Sequence, residues 1–407
     1  MLSSATASLH YPAAYALFLV RAALPFLALS LLALSLLRAW SLFLGFAALA
    51  SPWWTVTWTV TVMSDSSRMF DSTSSELPDR VPVCLHNFLP AAREAGVSLE
   101  QYLTEPQAAA RAHLQAVDTY GYDCILIDLD TTMLAEAMGA RRDNTPGEPG
   151  HIAAPAIGCL DEAERLRPVD PERDGRIPVL LEAVRIMAAA VGGQVAIRGN
   201  ADQCAFSLAG LLRGMEDFMM DLVSEPDHPG LQRLLEVCYQ SHLATHRAVR
   251  RAGADFTSLG DSPAGPDVVS PAIFERFARP YQERLVGELA ADGIFTVIHI
   301  CGNTSSILDQ LAHYPACGFE LDYKTDAARA KATAGREHVL FGNVDPSGVL
   351  ALGSVAQVRE ATRRLIETWK PGGRFVLNAG CALPAMTPPE NIRALVDAAT
   401  EFGRYDP

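Results

Sequence analysis

Eight short runs rich in β-branched residues recur between residue 80 and the C-terminal region, each separated from the next by a longer stretch with helical periodicity. They cover 81–86, 123–128, 194–198, 255–259, 295–300, 318–322, 338–342 and 374–378. Helical segments are expected at 106–120, 178–191, 227–252, 271–291, 304–313, 354–369 and 389–402. Strand runs alternating with amphipathic segments signal parallel strands joined by crossover helices. Several helices carry plausible starts, such as Asn303-Thr304-Ser305, Ser270-Pro271 and Thr387-Pro388-Pro389, where a capping side chain or proline opens a first turn. Eight β-then-α units predict an α/β fold, a TIM (β/α)8 barrel spanning 80–407. A doubly wound open sheet is the alternative, weakened because no Gly-x-Gly-x-x-Gly follows the first strand. Residues 141–176, rich in Pro, Gly and charge, read as an arm inserted after strand two, on the barrel face that carries active sites.

Residues 1–62 stand apart. They contain no Asp, Glu or Lys, only Arg21 and Arg38, and four of the five tryptophans. Residues 39–63 are uncharged over about the ~20 residues a bilayer span requires. Two readings lead: translation that truly begins at Met63, with 63–79 a polar leader, or a membrane anchor. An export signal ranks below both, because the first twelve residues carry no basic side chain. A catalytic domain from residue 80 onward follows on any of these readings.

The formal charge is -14. Such an acidic chain is not expected to bind nucleic acid, and a membrane enters only through residues 1–62. The eight cysteines are scattered through apolar surroundings rather than spaced as a disulfide framework, which suits reduced thiols in the cytoplasm. Three metal-capable residues stand out among them. His299 and Cys301 are two apart in a strand run, and alternate residues of a strand share one face, so both can reach a single ion. Cys381 ends another apolar run, 375–381. One imidazole and two thiolates suit tetrahedral zinc with an open fourth position, whereas a closed structural site usually draws on CxxC pairs, absent from this sequence. A buried histidine beside a buried thiol is the competing reading of His299 and Cys301 taken alone.

The motifs Gly253-Ala-Asp255, Asp261-Ser-Pro-Ala-Gly265, Pro280-Tyr281, His299-Ile-Cys-Gly302, Gly342-Asn-Val-Asp-Pro346 and Thr387-Pro-Pro-Glu-Asn391 together resemble the uroporphyrinogen decarboxylase superfamily, itself a TIM-barrel family. Within it, the decarboxylases resemble one another in an Arg-Gln-Ala-Gly-Arg motif after strand one and a Gly-His-Gly turn near the end. This chain instead reads Cys84-Leu-His-Asn-Phe-Leu-Pro90 and Ala379-Gly-Cys-Ala382. His-x-Cys on strand five with Cys after strand eight resembles the zinc-dependent corrinoid methyltransferase branch, of which methylcobamide:coenzyme M methyltransferases are members. A substrate with many carboxylates also needs convergent guanidinium groups. Around strand one only Arg80 and Arg93 are found.

The resemblance implies transfer of a methyl group from a methylated corrinoid, carried by a corrinoid protein, to a small thiol activated by zinc on His299, Cys301 and Cys381. A cofactor-free porphyrin decarboxylase and a non-catalytic zinc- or corrinoid-binding barrel are the alternatives. Asp261, just beyond strand four, is the first candidate for a substrate or metal contact. Asp128, Asp130 and Glu320 also lie near strand ends. Asn343 and Asp345 are expected to position the second ring nitrogen of His299 or a polar group of the substrate. His86 and Asn87 end strand one on the site face, within reach of a substrate.

Overall fold

The computed structural model describes residues 77–143, 149–315 and 317–405, so the readings of residues 1–62 and most of the polar leader lie outside it. No helix among the described residues is long and apolar enough to cross a membrane. The strands are β1 (Cys84–Leu85), β2 (Cys124–Ile127), β3 (Arg141–Asp143), β4 (His151–Ala154), β5 (Ala196–Gln203), β6 (Phe256–Gly260), β7 (Thr296–Ile300), β8 (Gly318–Leu321), β9 (Val339–Val344) and β10 (Phe375–Ala379). Eight form one sheet in the order β1-β2-β5-β6-β7-β8-β9-β10, all pairs parallel. A parallel bridge between Val83 and Leu377, with the Leu377 N–H donating to the Pro82 carbonyl at 2.8 Å, brings β10 back to β1. The fold is therefore the expected TIM barrel.

Alternation along each strand divides the core in two. Cys84, Cys124, Leu126, Phe256, Val297, Val339, Phe341 and Val376 fill the barrel interior as one apolar cluster. Residues of opposite parity, Ile298 and Ile300 in β7 among them, join the larger layer beneath the helices. His299 therefore shares the inward face with Val297, and Cys301 follows on the same face as the strand leaves the barrel. The helices start where capping chemistry places them. The Ser270 hydroxyl accepts from the Ile273 N–H, and Ser354 with Gln357 forms a reciprocal capping box for helix Val355–Trp369.

Several features depart from the sequence reading. The expected helix 271–291 is interrupted by a wider turn at Phe274–Ala278. The expected helix 304–313 is reduced to Ser305–Ile307 and Leu308–Leu311. Helices Ala205–Arg213 and Met215–Ser224 were not expected; the first buries eight of its nine residues, so it has no polar face to produce a period. The arm 141–176 is not merely a loop, because β3 and β4 pair antiparallel within it. Two of its arginines hold it to the barrel: Arg142 and Arg176 pair with Asp130 at 3.1 and 2.9 Å, and Arg176 reaches Glu136 at 2.6 Å.

Trp369, the one tryptophan beyond residue 62, is fully buried edge-on to Phe375 and donates from its indole N–H to the Ala327 carbonyl. Trp369→Ala should cost about 3–5 kcal/mol in urea denaturation, while leaving the metal stoichiometry unchanged. A loss below ~1 kcal/mol would contradict this packing.

Candidate metal centre

At the C-terminal mouth of the barrel, the ligating atoms of His299, Cys301 and Cys381 lie within 4.8 Å of one another. Strand alternation delivers the first two, and Cys381 arrives two residues past the end of β10. His299 Nε2 is 3.0 Å from Cys301 Sγ, and the two sulfurs are 3.7 Å apart. Two sulfurs ~2.3 Å from one tetrahedral ion would be separated by about 3.8 Å, so the thiols already stand at the spacing a shared ion requires.

The ring orientation is fixed from the other side. His299 Nδ1 is 3.1 Å from the Glu320 backbone carbonyl, which can only accept a hydrogen bond. That contact keeps the Nδ1 proton and turns the Nε2 lone pair toward the thiols. The Glu320 carboxylate lies 3.6 Å from the same nitrogen and forms a buried ion pair with Arg198, whose guanidinium sits 5.3 Å from the centre of the Phe341 ring. Burial would raise the Glu320 pKa, but Arg198 and His299 hold it below the usual carboxylate range.

In the metal-free protein the three residues share protons unequally. A hydrogen bond from the Cys381 thiol, opposed by burial and aided by His299, pulls Cys301 down to about 3. Burial alone would lower His299, yet the Cys301 thiolate and Glu320 push it up to about 9. Cys381 is pushed up by bonding to the Cys301 thiolate and by burial. These shifts favour a charged imidazole beside the Cys301 thiolate, with the proton held on the Cys381 thiol.

A cavity of about 320 Å³ opens onto the three donors, with His86, Asp128, Asp130, Arg198, Ser258 and Glu320 also in its wall. His86 and Asp128 thus reach the site as expected, with His86 Nε2 3.4 Å from the Asp128 carboxylate. Glu320 reaches it too, but its carboxylate is engaged by Arg198, so it supports His299 where a direct substrate contact was anticipated.

Asp261, Asn343, Asp345 and Asn87 require correction. Asp261 is fully buried and absent from the cavity wall: one carboxylate oxygen accepts from the Ser207 N–H and hydroxyl at 3.0 and 2.6 Å, the other from the Gln282 amide at 2.5 Å. It caps helix Ala205–Arg213 from outside, and burial raises its pKa against those three donors. Asn343 donates to the carbonyls of Asp322 and Thr325, steadying the loop after β8, and Asp345 accepts from the N–H groups of Ser347 and Gly348 as an N-cap. The role at the second ring nitrogen expected of them falls to Glu320. Asn87 is fully buried beside Tyr122 and, unlike His86, is not part of the cavity wall. Arg198 was missed by sequence reasoning. The available signal was a charged residue inside an apolar strand, matched by Glu320 inside another, since buried charges occur in pairs.

The uroporphyrinogen decarboxylase (URO-D) family matches residues 64–402. A methylcobamide:CoM methyltransferase of Methanosarcina barkeri is 30% identical over 345 residues, covering 83% of this chain and 97% of the relative. A uroporphyrinogen decarboxylase of Syntrophotalea carbinolica is 30% identical over 322 residues, covering 75% and 90%. A solved structure of a methyltransferase from Methanosarcina mazei superposes with a TM-score of 0.74 at 28% identity, over 80% of this chain and 95% of that one. Overall identity does not separate the two activities, so the site must.

Two outcomes are expected of this geometry. Zinc binding near pH 7 should displace about two protons, one from His299 and one from Cys381, Cys301 being a thiolate already. Apparent affinity should therefore climb by about two decades per pH unit across neutrality and by about one above pH 9, where His299 has lost its proton without metal while the Cys381 thiol still holds one; calorimetry in buffers of different ionisation enthalpy reads this, and zero proton release would refute it. Glu320→Gln leaves Arg198 buried without its counter-charge and should cost about 3–5 kcal/mol in denaturant melts. The same variant should weaken zinc about 10- to 100-fold in chelator competition.

Proposed function

The chain belongs to the uroporphyrinogen decarboxylase family, and on that footing we propose that it is an enzyme of the corrinoid methyltransferase branch, moving a methyl group from a methylated corrinoid on a partner protein to a zinc-bound thiol. The observation that carries this reading is the convergence of His299, Cys301 and Cys381 at the barrel mouth. The guanidinium groups support it from the other direction. Arg198 is paired with Glu320, Arg142 and Arg176 with Asp130, and Arg80 with Asp123, so none of these is left to receive the carboxylates of a porphyrinogen.

A zinc ion held by His299, Cys301 and Cys381 would act as a Lewis acid that lowers the pKa of an incoming thiol, so that its proton would leave to solvent and its sulfur would stay anionic at neutral pH. The chain's own groups prepare that chemistry. The Glu320 carbonyl orients His299, and Arg198 fixes Glu320. Two thiolate ligands neutralise the charge of the ion, which leaves a bound sulfur more nucleophilic than a His/carboxylate set would. In such a transfer the sulfur lone pair would form the new carbon–sulfur bond, while the electron pair of the broken cobalt–carbon bond would stay with the corrinoid.

The rim suits a protein-borne donor. Val268, Tyr323, Leu352 and Met386 are exposed on the loops that follow β6, β8, β9 and β10, all on the face where the cavity opens. Apolar side chains gathered at such a mouth fit a docking partner. The eight cysteines are all unpaired, in keeping with a reducing compartment.

Incubation of the zinc-loaded protein with methylcobalamin and a panel of small thiols should yield methyl thioethers, with the loss of methylcobalamin followed in its visible spectrum. Cys301→Ser and Cys381→Ser should each lower the rate by about 100-fold or more and reduce bound zinc. Four-carboxylate product from uroporphyrinogen, or full activity without stoichiometric zinc, would sink the proposal; zinc binding without turnover would leave a scaffold role.

A further inference from the structure

The cavity wall has an unbalanced charge, which bears on the thiol acceptor and rests on the methyl-transfer reading above. Among the described residues, its formally charged side chains are three carboxylates, Asp128, Asp130 and Glu320, against one guanidinium, Arg198. Two of the three carboxylates are already satisfied. Glu320 is paired with Arg198. Asp130 is paired with Arg142 and Arg176 from the arm and also accepts from the Thr132 N–H and hydroxyl at 2.9 Å. Asp128 differs: its ion-pairing partner among the described residues is the imidazole of His86, at 3.4 Å.

The position of Asp128 adds to its charge. Going round the barrel, β10 leads to Cys381, its neighbour β1 to His86, and the next strand, β2, to Asp128. Neighbouring strands lie ~4.8 Å apart, so Asp128 stands two strands from the sulfur that would border a bound acceptor, within the span of a short-chain molecule lying across the cavity floor. The metal with two thiolates and an imidazole is formally neutral and does not offset this carboxylate. An acceptor whose far end is anionic would meet Asp128 with no unpaired cation of the wall to receive it, in a partly desolvated space where like charges repel strongly. A cationic far end finds its counter-charge.

We infer that the methyl acceptor is a small aminothiol, its sulfur directed to His299, Cys301 and Cys381 and its ammonium group received by Asp128. The role assigned to Asp128 is recognition; the sulfur chemistry belongs to the other three residues.

Three two-carbon thiols that differ only at the far end make the test: cysteamine, 2-mercaptoethanol and 2-mercaptoethanesulfonate, each given to the full-length zinc-loaded protein with methylcobalamin and compared at equal thiolate concentration. The expected order of kcat/KM is cysteamine, then mercaptoethanol, then the sulfonate, with about tenfold or more between the extremes, carried mainly by KM. Asp128→Asn should raise KM for cysteamine and narrow the spread to within about threefold. Preference for the sulfonate, or an unchanged spread in Asp128→Asn, overturns the inference, and the wild-type series decides the charge class even if the variant does not fold. If no thiol is methylated, the methyl-transfer reading fails separately. Binding is then read from the sulfur-to-metal absorption band of the cobalt(II)-substituted protein, where the same order of affinities is expected and equal affinities overturn the aminothiol assignment.

Discussion

Arg198 and Glu320 are both withdrawn from water inside the barrel, one from β5 and the other from β8, and the candidate metal centre is built against their ion pair. Charges this deep persist only when each compensates the other, and removing either partner strands the remaining one. The pair is anchored below by the aromatic floor of Phe341 and Phe256 and carries His299 above it through the backbone and carboxylate of Glu320. The direction of the His299 lone pair, and hence the convergence of the three donors, depends on this buried contact. A pair that contributes little net stability to the fold can still fix one ring in one orientation.

The same economy of charge runs through the rest of the cleft. Asp130 anchors the arm by holding Arg142 and Arg176, and those arginines are thereby unavailable for anionic ligands. Relatives of two named activities reach the same 30% identity, while the solved structure that superposes at a TM-score of 0.74 is a methyltransferase. The identity of the residue after β10 and the pairing of every guanidinium near the cavity can bear on the chemistry, because those determine what charge and what donor atoms an incoming molecule meets.

Much of this was legible from periodicity. All eight barrel strands overlap runs visible in the sequence, since most strands buried on both sides are apolar; β5 runs on past its apolar start through the buried polar residues Asn200, Asp202 and Gln203, an extension with no such signal. The misses have definite causes. Helix Ala205–Arg213 buries eight of its nine residues, Ser207 and Arg213 included, so no exposed polar stripe marked it in the sequence. Asp261 lies at the end of a barrel strand, where a carboxylate suggests a ligand contact, but its side chain turns outward to cap a neighbouring helix. Asn343, at the end of β9, and Asp345, just beyond it, belong to a motif that is also an ordinary turn; the first steadies the loop after β8 and the second caps the turn that follows.

The sequence by itself determined the eightfold strand–helix repeat, the single acidic barrel domain, and the identity of the three soft donors, because strand parity alone puts residues 299 and 301 on one face. Tertiary structure decided what parity cannot reach. It set the 3.7 Å spacing of Cys301 and Cys381, residues 80 positions apart, through closure of β10 on β1. It also paired Arg198 with Glu320 across 122 positions, and left Asp128 facing the cavity with the His86 imidazole as its ion-pairing partner among the described residues. Those contacts join side chains from strands distant in the chain, and their geometry exists only once the barrel has closed.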